Sequence, residues 1–389
     1  MDYEFRTLDL NYERLSEYCV ELRKKIVETA NENQEGEGYD LPFTKYRFMW
    51  AERNSELAIG AYKNDELVGT IMTIVKNIIF NDPDKGIKGL KLKAGFLCNL
   101  GVAAELWPGM ELKKELLNKL LEKLKEQKID FLIINPLQDK DSDFINYMKS
   151  IGFSEINKNV EASVKMMGKD AVDQLKIAEG LNPIEVGAAK LLAGWKSDGI
   201  TEGVIRDVTE RDYSKIVDLL NDYANELQIA VEWKIEDLEE FIKIIKNLDH
   251  HRIENVKDKF PKSSYGAHLK VWEINGDIKA HVFFALIEVH LQHAHLPLIL
   301  WENSSFSKDL SLDQKKDFIS QILKEHENKA IVCNLMIPYL DKKAFDKAGF
   351  MGDRRNRKLL VKALTKEAKS VEASKKVKNF YINSFNFTI

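Results

Sequence analysis

Two segments of the chain follow one pattern. The first reads Ile129-Asp-Phe-Leu-Ile-Ile-Asn-Pro136 and continues to Gly152-Phe153, and the second reads Ala330-Ile-Val-Cys-Asn-Leu-Met-Ile-Pro338 and continues to Gly349-Phe350. Each predicts an apolar strand that ends near a proline, followed by a short helix that ends at Gly-Phe. The segments lie about half a chain apart. This spacing indicates two related domains, because solenoid repeats recur about every 20 to 50 residues.

Similar signals precede both segments in the same order. Each half opens with an arginine-containing strand and an amphipathic helix, at residues 5–22 and 205–220. A hairpin follows, with its turn at Lys63-Asn-Asp65 in the first half and at Asn275-Gly276 in the second. A further strand and a helix with an apolar stripe come next. Each half therefore reads β, α, β, β, β, α, β, α and a final strand.

This order of elements, with the Gly-Phe helix ends, resembles the Gcn5-related N-acetyltransferase (GNAT) superfamily in two tandem copies. The resemblance covers nearly the whole chain and implies a mixed α/β (α+β) fold. Each half is then a mostly antiparallel sheet, splayed between its fourth and fifth strands and flanked by helices. We predict an N-terminal GNAT-like domain at 1–167, a linker at 168–203 and a C-terminal GNAT-like domain at 204–389, in which 365–389 forms a tether and a terminal strand.

Bulk properties predict a cytoplasmic protein, monomeric or homodimeric. The 389 residues carry a formal net charge of -4, which gives no electrostatic basis for nucleic-acid binding. We expect no membrane span, because no run of about 18 apolar residues is present, and no signal peptide. The three cysteines, Cys19, Cys98 and Cys333, are scattered in apolar contexts, so we interpret them as reduced core residues.

The resemblance implies an acetyl-CoA site in the first half. There the splayed fourth strand offers its backbone to the pantetheine, and the turn into the next helix offers backbone amides to the pyrophosphate. The predicted cofactor-binding residues are Leu100, Gly101, Val102, Trp107, Gly109, Met110 and Glu111. Glu111 departs from the family pattern, since it places a carboxylate at a glycine position, although Lys113 and Lys114 offset its charge. The matching stretch of the second half, 302–313, contains no glycine, so we predict that this half has lost its donor site.

The catalytic residues are less clearly marked. Glu105, at the exit of the fourth strand, is a candidate base acting through a water, or else a solvated loop carboxylate. The tyrosine position of the family is Met148 in the first half, and the adjacent Tyr147 is interpreted as a core residue. His293 and His295, grouped with His281, are predicted to orient or deprotonate the acceptor amine, the alternative being ordinary polar positions on a wet sheet. No metal is expected.

Three functions are compatible with this reading. The first is an N-acetyltransferase that transfers an acetyl group from acetyl-CoA to a small-molecule or peptide amine. The second is a catalytically degenerate pair that acts as a binding or regulatory module, which Glu111 and the missing tyrosine favour. The third is a transferase of another acyl or aminoacyl donor, as in protein N-myristoylation or peptidoglycan bridge synthesis. The aromatic-polar alternation of 379–389 resembles the terminal strand of the myristoyl enzymes, whose terminal carboxylate is the base.

Overall fold

The computed structural model describes residues 3–8, 38–39, 55–102, 110–136, 142–169, 171–173, 183–194, 199–246, 266–291, 294–327, 329–330, 332–335, 341–374, 377 and 380–381. The strands within them are β1 (Glu4–Thr7), β2 (Gly38–Tyr39), β3 (Ile59–Lys63), β4 (Glu66–Asp82), β5 (Ile87–Val102), β6 (Phe131–Ile134), β7 (Ser154–Met166), β8 (Val204–Asp207), β9 (Ile229–Val231), β10 (Gly266–Ile274), β11 (Asp277–Leu291), β12 (Ala294–Phe306), β13 (Val332–Leu335), β14 (Met351–Ala363) and β15 (Phe380–Tyr381). The helices are α1 (Met110–Glu126), α2 (Ser142–Ser150), α3 (Pro183–Leu192), α4 (Tyr213–Ala224), α5 (Ile235–Ile245), α6 (Leu312–Lys324), α7 (Lys342–Lys347) and α8 (Lys369–Glu372).

The described strands form one continuous sheet in the order β1-β3-β4-β5-β6-β14-β7-β13-β12-β11-β10-β8. This order reads the same from both edges, because each strand of the first half has its counterpart at the mirrored position. Hence β1 matches β8, β5 matches β12 and β6 matches β13. The repeat predicted from the sequence is therefore present in the topology, and the expected mixed, mostly antiparallel sheet is confirmed.

The two halves exchange their final strands. β14 lies between β6 and β7, while β7 pairs with β13 of the second half. The last strand of each half thus completes the sheet of the other half. The antiparallel pairing of β14 with β7, two 13-residue strands, forms the centre of the sheet. The predicted boundaries at 167 and 204 stay predictions, because the sheet runs through both halves without a break.

The two predicted hairpins are confirmed, and their turns explain why. Asn64 and Asp65 have φ values of 53° and 63°, and Asn275 and Gly276 have φ values of 51° and 82°. Two consecutive residues with positive φ form a type I′ turn, whose twist matches that of paired antiparallel strands. Asparagine, aspartate and glycine adopt this conformation most easily. These short turns set the registers of β3 with β4 and of β10 with β11.

Helices cover the sheet with the faces that the apolar periodicity predicts. α1 buries its leucine stripe from Leu112 to Leu124, and α6 buries Phe318, Ile319, Ile322 and Leu323. Cys98 and Cys333 are free and buried, as expected. The helix predicted at 15–22, Cys19 and residues 382–389 lie outside the described residues. No helix within the described ranges combines the length and the apolarity needed to cross a bilayer.

Candidate functional site

The sheet opens into a wedge beside β6. β5 pairs with β6 in parallel only from Ala94 to Phe96, and then continues to Val102 without a described strand on that side. β14 lies on the far side of β6 and pairs with it only from Leu360 to Ala363. The earlier residues of β14, from Met351, continue past the end of this pairing on the same side as 97–102 of β5. We call the gap between 97–102 of β5 and 351–358 of β14 the first wedge. The splay predicted for the first half is present.

The strand exchange makes the first wedge a composite of both halves. One wall, β5, belongs to the first half, while the other wall, β14, belongs to the second. At the base, the backbone N–H of Lys358 donates to the carbonyl of Pro136 at 3.1 Å. The wall formed by β14 was not predicted, since the donor site was predicted from first-half residues alone. The repeat carries no signal for the exchange, because β7 and β14 are counterparts in it and either could complete the sheet beside β6.

A β-bulge interrupts β5 where the wedge opens. Met72 pairs with Cys98 and Thr70 pairs with Gly101, so that Asn99 and Leu100 face one residue of β4. A bulge leaves a backbone residue outside the regular ladder and redirects the neighbouring groups, and bulges are frequent beside active sites. The predicted binding residues Leu100 and Gly101 therefore lie where backbone groups can reach a ligand.

The wall of β5 is apolar. Leu97, Leu100 and Val102 are buried, with exposures of 1%, 7% and 0%. The corresponding part of the second half differs: β12 pairs with β13 from Leu298 to Trp301 and continues to Phe306, which defines a second wedge. Its wall carries four buried polar residues, Glu302, Asn303, Ser304 and Ser305. The strand walls of the two wedges thus differ: the apolar side chains of β5 pack into the core with α1, whereas this part of β12 is polar.

Charges meet at the start of α1, the helix that follows the first wedge. Met110 is its first residue, and the Glu111 carboxylate is 81% exposed and accepts a hydrogen bond from Lys114 Nζ at 2.7 Å. Lys114 also lies 5.4 Å from the ring centroid of Tyr147, whose hydroxyl donates to Asn118 at 3.1 Å. Tyr147 therefore ties α2 to α1, which agrees with its interpretation as a packing residue. The neighbouring lysines offset the charge of Glu111.

Contacts within the protein hold the start of α6, the helix that follows the second wedge. The Ser311 hydroxyl accepts from the N–H of Gln314 at 3.2 Å and so caps the start of α6. Lys315 Nζ pairs with the Asp341 carboxylate at 2.6 Å, and the N–H of Asp341 donates to the Tyr223 hydroxyl at 3.3 Å. These contacts join α6, α7 and α4 beside a cavity of about 200 Å³. The prediction that this half has lost its donor site stays a prediction.

His281 belongs to a buried hydrogen-bond chain and to no histidine group. Its Nε2 lies 3.3 Å from Asn303 Oδ1, which can only accept a hydrogen bond, so the proton is on Nε2. Nδ1 is then an acceptor, and the Ser305 hydroxyl donates to it at 2.9 Å. Burial lowers the pKa of His281 to about 3, which keeps the ring neutral. His281 pairs with Ser305, and His295 lies ten residues earlier on β12, about 33 Å away at 3.3 Å per residue. The predicted grouping of His281 with His295 is therefore wrong, and His293 lies outside the described residues.

The other predicted catalytic residues are only partly located. Glu105, Trp107, Gly109 and His293 lie outside the described residues. His295 lies in β12 opposite His290, which pairs on its other side with Gly38 of the first half. β12 runs opposite to β5, so its first residues lie at the end of the sheet where the first wedge opens. The backbone of His295 is therefore at the same end of the sheet as the open end of the first wedge, five strands from β5 and three from β14.

Comparison with known proteins identifies the fold. No protein-family model and no curated protein matches the chain. The structure of Saccharomyces cerevisiae N-myristoyltransferase with bound myristoyl-CoA is similar, with a TM-score of 0.67 and 11% identity, over 92% of this chain and 82% of that one. A Gcn5-related N-acetyltransferase from Anabaena variabilis has a TM-score of 0.53 and 8% identity, over 94% and 73%. The GNAT fold predicted from the sequence is confirmed.

Proposed function

We propose that the protein is an N-acyltransferase. It takes an acyl group from acyl-CoA held in the first wedge and transfers it to the amine of a small molecule or peptide. The observation that carries this proposal is the bulged edge of β5, beside which the structure describes no strand from 97 to 102. Such an edge offers N–H and C=O groups to the amides of pantetheine, as an added strand would. The apolar wall excludes water from the thioester.

The start of α1 is the place proposed for the donor pyrophosphate. The first-turn N–H groups of a helix and its dipole favour an anion. Lys113 and Lys114 lie in that turn and add positive charge, while Glu111 opposes it. We propose no pyrophosphate site at the start of α6 in the second half. The Ser311 side chain caps this helix, and the Lys315–Asp341 ion pair lies beside its first turn.

The chemistry needs a deprotonated amine and a stabilised oxyanion. Backbone N–H groups at the bulge near Leu100 and Gly101 are proposed to donate to the thioester oxygen as negative charge develops there. Glu105, His293 and His295 are the proposed bases that remove a proton from the amine. The amine lone pair then attacks the carbonyl carbon, and the thiolate of CoA leaves.

The length of the acyl group is a separate part of the proposal. Acetyl-CoA is the donor that the sequence resemblance implies. The yeast N-myristoyltransferase of similar fold was solved with myristoyl-CoA. A longer acyl-CoA such as myristoyl-CoA is therefore the second donor to test.

Calorimetric titration of the purified chain with CoA, acetyl-CoA and myristoyl-CoA tests the proposal. We expect binding of CoA, and tighter binding of the acyl-CoA whose chain fits the wedge. Lys114→Glu should weaken binding, because it places a negative charge beside the pyrophosphate, whereas Lys119→Glu, on the same helix but further from its start, should not. Absence of any CoA binding would refute the proposal. Binding without thiol release in the presence of amines would favour the degenerate binding module.

A further inference from the structure

We propose that the first wedge admits only a short acyl group, such as acetyl or propionyl, and that Phe96 and Leu97 at its closed end set this limit. The inference rests on the proposed function, because it specifies the donor of the same site. The observation behind it is the packing of side chains where β5, β6 and β14 come together.

The open part of the first wedge is one strand wide. Where β6 pairs with both of its neighbours, β5 and β14 lie two strand spacings apart, about 9.6 Å. Beyond Ile134 the pairing with β6 stops, while β5 and β14 continue. The gap therefore suits one extended chain, and the pantetheine arm of the donor is such a chain.

The direction of this arm follows from the proposed pyrophosphate site. The pyrophosphate is placed at the start of α1, which follows β5 at the open end of the wedge. An arm that enters from there points its thioester towards the end of β6, so the acyl group meets the closed end of the wedge. We call this end the floor. It consists of the residues at the last strand pairs and next to them, namely Phe96, Leu97, Ile133, Ile134, Leu359 and Leu360.

The floor is filled on both faces of the sheet. Each of the three strands contributes one residue to the core with α1 and one to the core of the opposite face. All six side chains have exposures of 0% or 1%. A side chain beside a void as large as a water molecule would keep accessible surface. No such void therefore adjoins these six residues.

Gly95 shows how tightly the core beside the floor is packed. It directly precedes Phe96 on β5. A methyl group on its Cα would lie 2.8 Å from Thr73 Cγ2, 3.3 Å from Leu124 Cδ2 and 3.4 Å from Leu132 Cδ1. Non-bonded carbon atoms prefer separations of about 3.5–4.0 Å, so even one methyl group does not fit there without displacing its neighbours.

A long acyl tail needs far more space than one methyl group. An apolar cavity of about 150 Å³ holds one benzene molecule, and a myristoyl tail has roughly twice as many carbons. Inserting methylenes into a packed core displaces side chains and backbone and is unfavourable. The methyl group of an acetyl donor can instead stay in the wedge above the floor.

The fold alone does not decide the length of the acyl group. The yeast N-myristoyltransferase of similar fold was solved with myristoyl-CoA. In this chain the limit is then set by individual side chains at the floor. Leu97 closes the side towards α1 and Phe96 closes the opposite face, so both are specificity-determining residues in this proposal.

The test measures the affinity of the full chain for CoA and for acetyl-, butyryl-, hexanoyl- and octanoyl-CoA by calorimetry. The affinity for each acyl-CoA relative to CoA isolates the contribution of the acyl group. The series is repeated with Leu97→Ala and Phe96→Leu, which each remove part of the floor. Leu323→Ala is the matched control, because Leu323 is equally buried but lies on α6 of the second half. Circular dichroism checks that each variant is folded.

We expect the wild type and the control to bind acetyl-CoA at least as tightly as CoA. Octanoyl-CoA should bind them at least about tenfold more weakly than acetyl-CoA, since inserting methylenes into a packed core carries about that penalty. At least one of the two floor variants should narrow this difference several-fold.

The wild type alone decides the limit on length. Octanoyl-CoA that binds it as tightly as acetyl-CoA would overturn the inference, whether or not the variants fold. Folded Leu97→Ala and Phe96→Leu proteins that both keep the wild-type preference would overturn the assignment to these two residues. A wild type that binds no CoA would instead refute the proposed function.

Discussion

Replacing Asp212 by asparagine should weaken the second half through a buried ion pair. Arg206 donates two hydrogen bonds to this carboxylate, at 2.7 and 2.8 Å, and a third to Glu273 at 2.7 Å. The Asp212 side chain is only 3% exposed. The hydrogen bonds from Arg206, helped by those from Thr209, lower the pKa of Asp212 to about 2. A shift of about two units from the ordinary value corresponds to about 2.5 kcal/mol of stability at neutral pH.

The sign of the pH dependence follows from the lowered pKa. The unfolded chain binds a proton near pH 4 and the folded chain only near pH 2, so this stabilisation is complete above about pH 5 and is lost as the pH falls from 4 towards 2. Asp212→Asn should therefore lower the free energy of unfolding by about 2–3 kcal/mol at pH 7 and by roughly half of that at pH 3. Guanidinium unfolding followed by tryptophan fluorescence measures both values.

The repeat supplies the control for this experiment. Arg6, the counterpart of Arg206, donates to Asp65 at 2.8 Å, but the two side chains are 42% and 84% exposed. Asp65→Asn should leave the unfolding free energy without measurable change, because water screens an exposed pair. Equal effects of the two substitutions, or an Asp212→Asn effect that does not shrink at pH 3, would refute the reasoning.

Three further predictions concern charge and catalysis. Glu111→Gln should tighten CoA binding about two- to fivefold by calorimetry, because it removes a negative charge at a helix start; an equal gain from Glu122→Gln would show a general charge effect. Burial lowers the pKa of His326 to about 4, so the unfolded chain binds its proton first. Lowering the pH from 7 to 5 should then reduce the free energy of unfolding of the wild type by about 2 kcal/mol more than that of His326→Phe. Identical dependence of the unfolding free energy on pH in the two proteins would contradict this. His293→Gln/His295→Gln should slow acyl transfer with CoA affinity intact, and full activity of the double variant would remove both residues from the mechanism.

Local signals in the sequence predicted most of the individual elements. The hairpin turns at Asn64-Asp65 and Asn275-Gly276 depend on two residues each, and the apolar stripe of α1 depends on one helix. Each of these features depends only on residues that are close together in the sequence, so one sequence is enough to predict it. The order of elements then led to the fold through its resemblance to GNAT proteins.

Pairing between distant strands was not predictable in the same way. β7 and β14 are counterparts in the repeat, so either can complete the sheet beside β6, and the sequence pattern does not distinguish them. The composite wedge was missed for this reason. The error about His281 has a related cause, because its distance from His295 depends on the length and register of β11 and β12. The predicted pyrophosphate turn, Trp107 to Glu111, stays a prediction, because 107–109 lie outside the described residues.

Hydrogen exchange of the backbone amides, with and without CoA, tests the central claim most directly. If the donor binds in the first wedge, CoA should slow exchange in 97–102 of β5 and at the start of α1, with a smaller effect in 351–358 of β14. Slower exchange confined to 302–306 of β12 and to the start of α6 would place the donor in the second wedge. That result, or no change anywhere in the chain, would contradict the account.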